Sequence, residues 1–208
     1  MKKFLYLISP PKIDKNFFKD LEKVLSSKKV VFFQLRLKNK KAEKIIQLSK
    51  KIRKITKKYN VNFIMNDSIK LTLKTKADGC HLGQNDDSVT LAKRKLKKKI
   101  IGMTCHNSKK LCKIAKKNKV DYIALGSFFN SKLKPNAVKA NIEILKWAKR
   151  NINKPIVAIG GINDSNYKKL LKAGANYIAL SSFIWNNRFL KPKDTLKKFR
   201  NENNSKRN

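Results

Sequence analysis

The sequence predicts a single domain with the (β/α)8 barrel fold, the TIM barrel. Its 208 residues fit one domain and are enough to bury a substantial core. Eight short apolar segments recur along the chain, and Lys-rich segments with apolar residues at helical spacing separate them. This alternation is typical of a parallel sheet that carries helices on its outer face.

The eight predicted strands are nearly continuous apolar runs, as expected for parallel strands that are buried on both faces. In chain order they cover residues 4–9, 30–36, 62–67, 79–83, 100–105, 122–129, 155–161 and 177–182.

The segments between the strands have the apolar spacing of amphipathic helices. One helix is indicated by Ala42, Ile45, Ile46, Leu48, Ile52 and Ile55, and another by Ile142, Ile144, Leu145 and Trp147. A last helix is expected near residues 193–200. A doubly wound open sheet would show a similar alternation, but an eightfold repeat without a break in strand order favours the barrel. We expect residues 1–200 to form it and the polar residues 201–208 to be a disordered tail.

The formal charge of +39 and the pI near 10.4 lie in the range of nucleic-acid binders. The basic residues, however, are spread over nearly every helical segment and are not collected in one tail or stripe. We therefore interpret most of them as solvated helix faces and predict no specific nucleic-acid partner. A general attraction for phosphorylated substrates and a true nucleic-acid function are the alternatives.

The sequence also predicts a cytoplasmic protein without a membrane segment. The first apolar run is short, is followed by Pro10 and Pro11, and is interpreted as a strand and not as a signal peptide. No apolar stretch approaches the roughly 20 residues of a membrane helix. The three cysteines show no C-x-x-C spacing, so reduced thiols are expected and not a disulfide framework or a zinc site.

Polar residues follow the predicted strands at the end where a barrel carries its chemistry. Gln34, Arg36 and Lys38 alternate, so an extended strand would present all three on one side. Arg supplies a planar fork for phosphate oxygens and Lys adds a point charge. These residues predict a pocket for small phosphorylated substrates, and solvation of the strand end is the structural alternative.

Asp67 and Asp86 are the predicted Mg²⁺ ligands. Both fall at strand ends in a chain that has only 13 acidic residues. Two carboxylates together with substrate phosphate oxygens are a usual way to hold Mg²⁺. A helix N-cap at Asp67 and a turn role at Asp86 are the structural alternatives. Asp87, directly adjacent, is a second candidate for the same position.

Gly160 and Gly161 close a strongly apolar strand before a helix, and Ser181 and Ser182 follow the last strand. Phosphate sites after strands seven and eight are a recurring feature of the fold. Of the two histidines, we interpret His81 as structural because it lies within a strand. His106 lies at a strand end, where it could bind a ligand or shuttle a proton.

Four motifs, taken in order and spacing, resemble the thiamine-phosphate synthase family from the first strand to the eighth. They are Gln34-x-Arg36-x-Lys38, Asn66-Asp67, Ala77-Asp78-Gly79-Cys80-His81-Leu82-Gly83-Gln84-x-Asp86 and Pro155-Ile-Val-Ala-Ile-Gly-Gly-Ile162.

The resemblance implies a Mg²⁺-dependent transferase. It would join 4-amino-2-methyl-5-(diphosphooxymethyl)pyrimidine to hydroxyethyl-methylthiazole phosphate, giving thiamine phosphate and diphosphate. Asp67 and Asp86 would ligate Mg²⁺. Arg36, Lys38 and Lys134 would be catalytic, because they would stabilise the charge that develops on the departing diphosphate.

The same resemblance implies the substrate-binding set. Gln34, Arg36, Lys38 and Asn66 would hold the diphosphate, Thr104 occupies the place of a family serine, and Lys134 reaches the leaving group. The thiazole phosphate would be bound by Ser131, Lys132, Leu133, Gly161, Ser181 and Ser182.

The chain departs from the family pattern at four positions. Leu133 replaces a threonine, Ser68 a basic residue, Ser127 a proline and Leu37 an acidic residue, and none of these removes a predicted metal ligand. Two other functions remain as alternatives. The related thiazole tautomerase has a histidine comparable to His106 but less need of a two-carboxylate site. The charge would also suit a non-catalytic phosphate-ligand or nucleic-acid binder.

Overall fold

A computed structural model describes residues 3–130 and 138–200 of the chain. The predicted site residues Ser131, Lys132, Leu133 and Lys134 lie outside these residues, as does the expected tail at 201–208.

Eight parallel strands form one closed barrel in which each strand pairs with the next and the first pairs with the last. They are β1 Leu5–Ile8, β2 Val30–Leu35, β3 Asn62–Asn66, β4 Gly79–Leu82, β5 Ile100–His106, β6 Tyr122–Gly126, β7 Ile156–Ile159 and β8 Tyr177–Leu180. The predicted (β/α)8 barrel is therefore confirmed, and the closure of β1 on β8 rules out the doubly wound open sheet.

Helices lie between the strands and after the last one. They are α1 Phe17–Leu25, α2 Ala42–Lys58, α3 Ile69–Thr75, α4 Val89–Leu96, α5 Lys109–Lys117, α6 Glu143–Asn151, α7 Tyr167–Lys172, α8 Ser182–Trp185 and α9 Pro192–Lys197. No helix in the described part of the chain is long and apolar enough to cross a membrane.

Side chains alternate between two apolar regions along each strand, as the pleat requires. On β1, Leu5 and Leu7 point outward into the core between sheet and helices, while Tyr6 and Ile8 point into the barrel. The outer core is the larger and also holds the three cysteines, which are buried and free. The barrel interior contains an aromatic cluster, in which the centroid of the Phe32 ring lies 5.3–5.4 Å from the ring centroids of Tyr6, Tyr122 and Tyr177.

The predicted strands extend too far at several carboxyl ends. Strand β6 ends at Gly126 and not at 129, and β8 ends at Leu180, so that Ser182 begins the short helix α8. This helix is held against β1 because the indole nitrogen of Trp185 donates to the carbonyl of Ile8 at 2.7 Å. Four residues are too few to show a helical pattern, so the sequence analysis predicts no helix there.

Candidate active site

Asp67 and Asp86 lie side by side on the carboxyl-end rim of the barrel. Asp67 follows β3 in a left-handed conformation (φ 67°), and its amide donates to the carbonyl of His81 on β4 at 2.8 Å. Asp86 lies in the loop after β4, where its carboxylate accepts from the amide of Gly83 at 2.6 Å. The two carboxyl groups are within hydrogen-bonding reach of each other.

This arrangement raises the pKa of Asp67 to about 6. The largest cause is desolvation by burial, and the hydrogen bond and the negative charge of Asp86 add to it. Lys38 and Arg36 act in the opposite direction, because their positive charges favour the ionised carboxylate. The carboxylates and the cations of the Gln34-x-Arg36-x-Lys38 motif therefore share one rim.

Asp87 has a different place. Its carboxylate accepts from the amide of Ile69, the first residue of α3, at 2.8 Å. Ser68 caps the same helix by accepting from the amide of Leu71 at 3.2 Å. Asp87 therefore accepts a hydrogen bond from a backbone amide at the N-terminus of α3 that has no partner within the helix. The carboxylate that interacts with Asp67 is that of Asp86.

The donor set fits Mg²⁺. Two neighbouring carboxylates, one of them partly desolvated, repel each other, and a divalent cation between them would relieve that repulsion. Over residues 3–130 and 138–200, no group of three or more His, Cys, Asp or Glu side chains forms a metal site. Two protein carboxylates with substrate oxygens and water are the usual Mg²⁺ arrangement.

Strand β2 ends at Leu35, so only Gln34 of the cationic motif lies within the strand. Gln34 is buried, and Arg36 and Lys38 follow in the loop. Ser9, which sequence reasoning did not single out, anchors this loop: its hydroxyl accepts from the amide of Arg36 at 3.0 Å. The carbonyl of Ser9 also accepts from the hydroxyl of Ser181 at 3.2 Å, so one buried serine joins the ends of β1, β2 and β8.

Thr104 is held from two sides. Its hydroxyl lies 2.8 Å from Nε2 of His81, and its carbonyl accepts from the amide nitrogen of the Gln84 side chain at 2.6 Å. His81 continues inward, because its Nδ1 lies 2.9 Å from the hydroxyl of Tyr122. The interpretation of His81 as a structural residue thus omits its contact with a predicted substrate-binding residue.

The loops after β6 and β7 meet at Gly160 and Gly161. Both have positive φ, 103° and 60°, and a side chain at Gly161 would overlap the carbonyls of Phe129 and Asn130. The amide of Phe129 donates to the carbonyl of Gly160 at 3.0 Å, and the side-chain amide of Asn166 donates to the carbonyl of Gly161 at 3.1 Å. Glycine is therefore required here by close packing of backbones, and this fixes the β7 side of the predicted phosphate site.

His106 lies at the end of β5, beyond an irregularity in the pairing of β5 with β6, and is exposed with φ 51°. It belongs to the same rim as Thr104, but unlike the partly buried Thr104 it is exposed.

Comparison with known proteins identifies the family to which the chain belongs. Residues 5–184 match the model of the thiamine monophosphate synthase family. The thiamine-phosphate synthase of Pelagibacter ubique (strain HTCC1062) is 50% identical over 200 residues, which is 96% of this chain and 97% of that protein. The thiamine-phosphate synthase of Erythrobacter litoralis (strain HTCC2594) is 39% identical over 87% of each chain.

A solved structure has the same architecture. The thiamine phosphate pyrophosphorylase of Pyrococcus furiosus superposes with a TM-score of 0.84 at 27% identity, over 94% of this chain and 92% of that one. Both curated relatives carry the synthase name, which favours the synthase over the thiazole tautomerase. From the family model and these relatives together, the chain is an enzyme that belongs to the thiamine-phosphate synthase family.

Proposed function

We propose that this enzyme couples 4-amino-2-methyl-5-(diphosphooxymethyl)pyrimidine to hydroxyethyl-methylthiazole phosphate in a Mg²⁺-dependent reaction of thiamine biosynthesis. The observation that carries the proposal is the pair Asp67 and Asp86, with Arg36 and Lys38 near enough for their positive charges to act on Asp67. Such a rim suits a diphosphate, whose negative charge needs both a metal and fixed cations. The predicted cytoplasmic location is part of this proposal.

The reaction forms a bond from the thiazole nitrogen to the pyrimidine methylene and breaks the bond from that methylene to the diphosphate oxygen. The thiazole nitrogen already has a lone pair, so no strong general base is required. Breaking the C–O bond is the demanding event, because negative charge develops on the departing diphosphate. Arg36 and Lys38 would stabilise that charge electrostatically, and bound Mg²⁺ would supply further neutralisation.

The remaining predicted residues complete the proposed site. Gln34 and Asn66 lie at the ends of β2 and β3, where they would orient the diphosphate beside the carboxylates. Gly161, Ser181 and Ser182 lie after β7 and β8, where they would receive the thiazole phosphate. The roles of Ser131, Lys132, Leu133 and Lys134 remain predictions of the sequence.

The test is incubation of the purified protein with both substrates, with Mg²⁺ or with EDTA, and detection of thiamine phosphate and diphosphate. We expect product only with Mg²⁺, and we expect both Asp67→Asn and Asp86→Asn to abolish it. Asp87→Asn is the matched control, because it changes the adjacent carboxylate that begins α3 and should leave the Mg²⁺ dependence intact.

Full activity of both Asp67→Asn and Asp86→Asn, or equal rates in EDTA, would contradict the proposed metal site. Tautomerisation of the thiazole without coupling would contradict the proposed reaction itself.

A further inference from the structure

A chain of hydrogen bonds runs from the centre of the barrel to its rim. Hydroxyl oxygens of Tyr6 and Tyr122 are 2.9 Å apart, Tyr122 lies 2.9 Å from Nδ1 of His81, and Nε2 of His81 lies 2.8 Å from the hydroxyl of Thr104. The four residues come from β1, β6, β4 and β5, so the chain crosses the barrel. Tyr6, Tyr122 and His81 are all buried.

The barrel is built to accommodate this chain. Gly102 pairs with His81 on one side and with Tyr122 on the other, so it lies between them in the sheet. A side chain at Gly102 would overlap the end of the Tyr122 ring. Because this position is a glycine, the Tyr122 ring can stack on the imidazole of His81, with 5.5 Å between centroids and 15° between planes.

The direction of the protons follows from the inner end of the chain. Burial raises the pKa of Tyr6 and of Tyr122 well above the ordinary value, so both phenols keep their protons. Among the described residues, the hydroxyl of Tyr6 has one hydrogen-bond partner, the hydroxyl of Tyr122. The Tyr6 proton must therefore go to Tyr122, because a buried hydroxyl that does not donate loses a hydrogen bond.

The remaining protons are then determined in turn. Since Tyr122 accepts from Tyr6, it donates its own proton to Nδ1 of His81. Neutral imidazole with an accepting Nδ1 carries its proton on Nε2. That proton is donated to the Thr104 oxygen, and the Thr104 hydroxyl proton must point elsewhere.

We infer that His81, oriented by Tyr122 and Tyr6, is a positioning residue that presents the Thr104 hydroxyl to the substrate as a hydrogen-bond donor. This inference rests on the proposed function, whose two substrates both carry phosphate groups, and on the substrate-binding role that the family resemblance implies for Thr104. Phosphate oxygens accept hydrogen bonds and do not donate them when ionised, so a hydroxyl with the opposite orientation would present a lone pair to an acceptor. The buried chain therefore sets the polarity of one contact at the rim.

The first measurement reads the tautomer directly, by ¹⁵N NMR of protein labelled at histidine. The sequence has two histidines, His81 and His106, so the signals that persist in the His106→Gln variant belong to His81. We expect Nε2 of His81 to be protonated and Nδ1 to be bare. A proton on Nδ1, alone or together with one on Nε2, would overturn the inference, whatever the activity of the protein.

The second measurement tests the effect on the reaction through Tyr122→Phe, which removes one hydroxyl and keeps the ring. We expect His81 to shift toward the Nδ1-protonated tautomer and kcat/KM to fall roughly tenfold, the loss of one hydrogen bond to a charged group. Tyr177→Phe is the matched control, because its ring also contacts Phe32 but lies outside the chain of hydrogen bonds. It should change neither quantity.

A double-mutant cycle separates this mechanism from a general loss of packing. In a Thr104→Val background, where the hydroxyl is absent, Tyr122→Phe should change kcat/KM by less than about twofold. In a Thr104→Ser background, which keeps a hydroxyl, the roughly tenfold effect should return. An equal effect of Tyr122→Phe in all backgrounds would overturn the inference.

Failure of the proposed function would look different. A wild-type protein that forms no thiamine phosphate would refute the coupling reaction, while the tautomer measurement would still decide the orientation of the chain. If Tyr122→Phe does not fold, the tautomer of His81 in the wild-type protein decides the inference: a proton on Nε2 alone supports it and a proton on Nδ1 overturns it.

Discussion

Asp67, a proposed metal ligand, carries a cost in stability. Its pKa in the folded protein is about 6, above the ordinary value of 3.8, because burial and Asp86 disfavour the ionised form. At a pH below the unfolded-state pKa, Asp67 is protonated in both states and does not lower the stability of the fold. As the pH rises from the unfolded-state pKa to the folded-state pKa, Asp67 destabilises the fold progressively more. Above the folded pKa the full penalty is present unless a cation compensates it.

We therefore predict that Asp67→Asn raises the melting temperature of the metal-free protein at neutral pH and that this gain disappears under acidic conditions below the unfolded pKa.

The wild-type enzyme should also lose Mg²⁺ affinity as pH falls through about 6, because protons then compete for Asp67. Thermal unfolding with and without Mg²⁺ across this pH range measures both effects. A metal-free Asp67→Asn protein that is less stable than wild type at neutral pH would contradict the assignment.

At the scale of single residues, the sequence indicates which residue types follow the strands, but it does not indicate which side chains hydrogen-bond to one another. The pairing of Asp67 with Asp86 is predicted from strand ends, but Asp87 is the sequence neighbour of Asp86. Only the fold shows that the Asp87 carboxylate accepts from the amide of Ile69. The contact of His81 with Tyr122 joins residues 41 positions apart. The signal that could have indicated it is Gly102, a residue without a side chain in the middle of an apolar strand.

At the scale of elements, the helices after β3, β4 and β5 begin in the same way. Ser68, Ser88 and Ser108 each accept a hydrogen bond from the amide three residues on, at 3.1–3.2 Å. These short connections place the start of each helix immediately beyond the rim. The serine that replaces a basic residue after Asn66-Asp67 thus has a structural role in α3.

We predict that Ser108→Ala lowers the free energy of unfolding by about 1 kcal/mol, because one amide at the start of α5 loses its partner. Chemical denaturation measures the change, and Ser108→Asp, which can still cap, is the control that should retain stability. Loss of stability equal in both variants would show that the cap is not the cause.

Strand cores are predictable from the sequence because continuous apolar runs identify them, whereas strand ends are not. The ends depend on contacts between distant loops, such as the amide of Phe128 that donates to the carbonyl of Ile159 after β6 has ended. Helix α8 was missed for a related reason: its position is set by the contact of Trp185 with β1, which local sequence does not contain.

At the scale of the whole molecule, stability depends on two apolar regions of unequal size. The inner one is small, and Phe32 is central to it, in contact with three tyrosine rings. We predict that Phe32→Ala lowers the free energy of unfolding by about 3–5 kcal/mol, because it leaves a cavity that the closed sheet cannot fill. Phe189→Ala, at a side chain that is 94% exposed, should change it by less than about 0.5 kcal/mol. Equal effects in urea denaturation would refute this account of the core.

The fold was predictable at this scale because an eightfold alternation of strand and helix is compatible with few folds. The motifs shared with the family then favour the barrel among those folds. The high charge was less informative. The lysines are spread over many helices. Net charge affects solubility and association but not the choice of fold, so it predicts neither the closed sheet nor the position of the rim.

The aromatic cluster inside the barrel has a consequence for the route by which reactants would reach the proposed site. Among the described residues, Phe32 and the tyrosines around it pack side by side inside the barrel. The proposed reactants and products would therefore use the carboxyl-end mouth of the barrel for both entry and release. A diphosphate that lingers on the aspartates after the new bond has formed would therefore delay the next turnover.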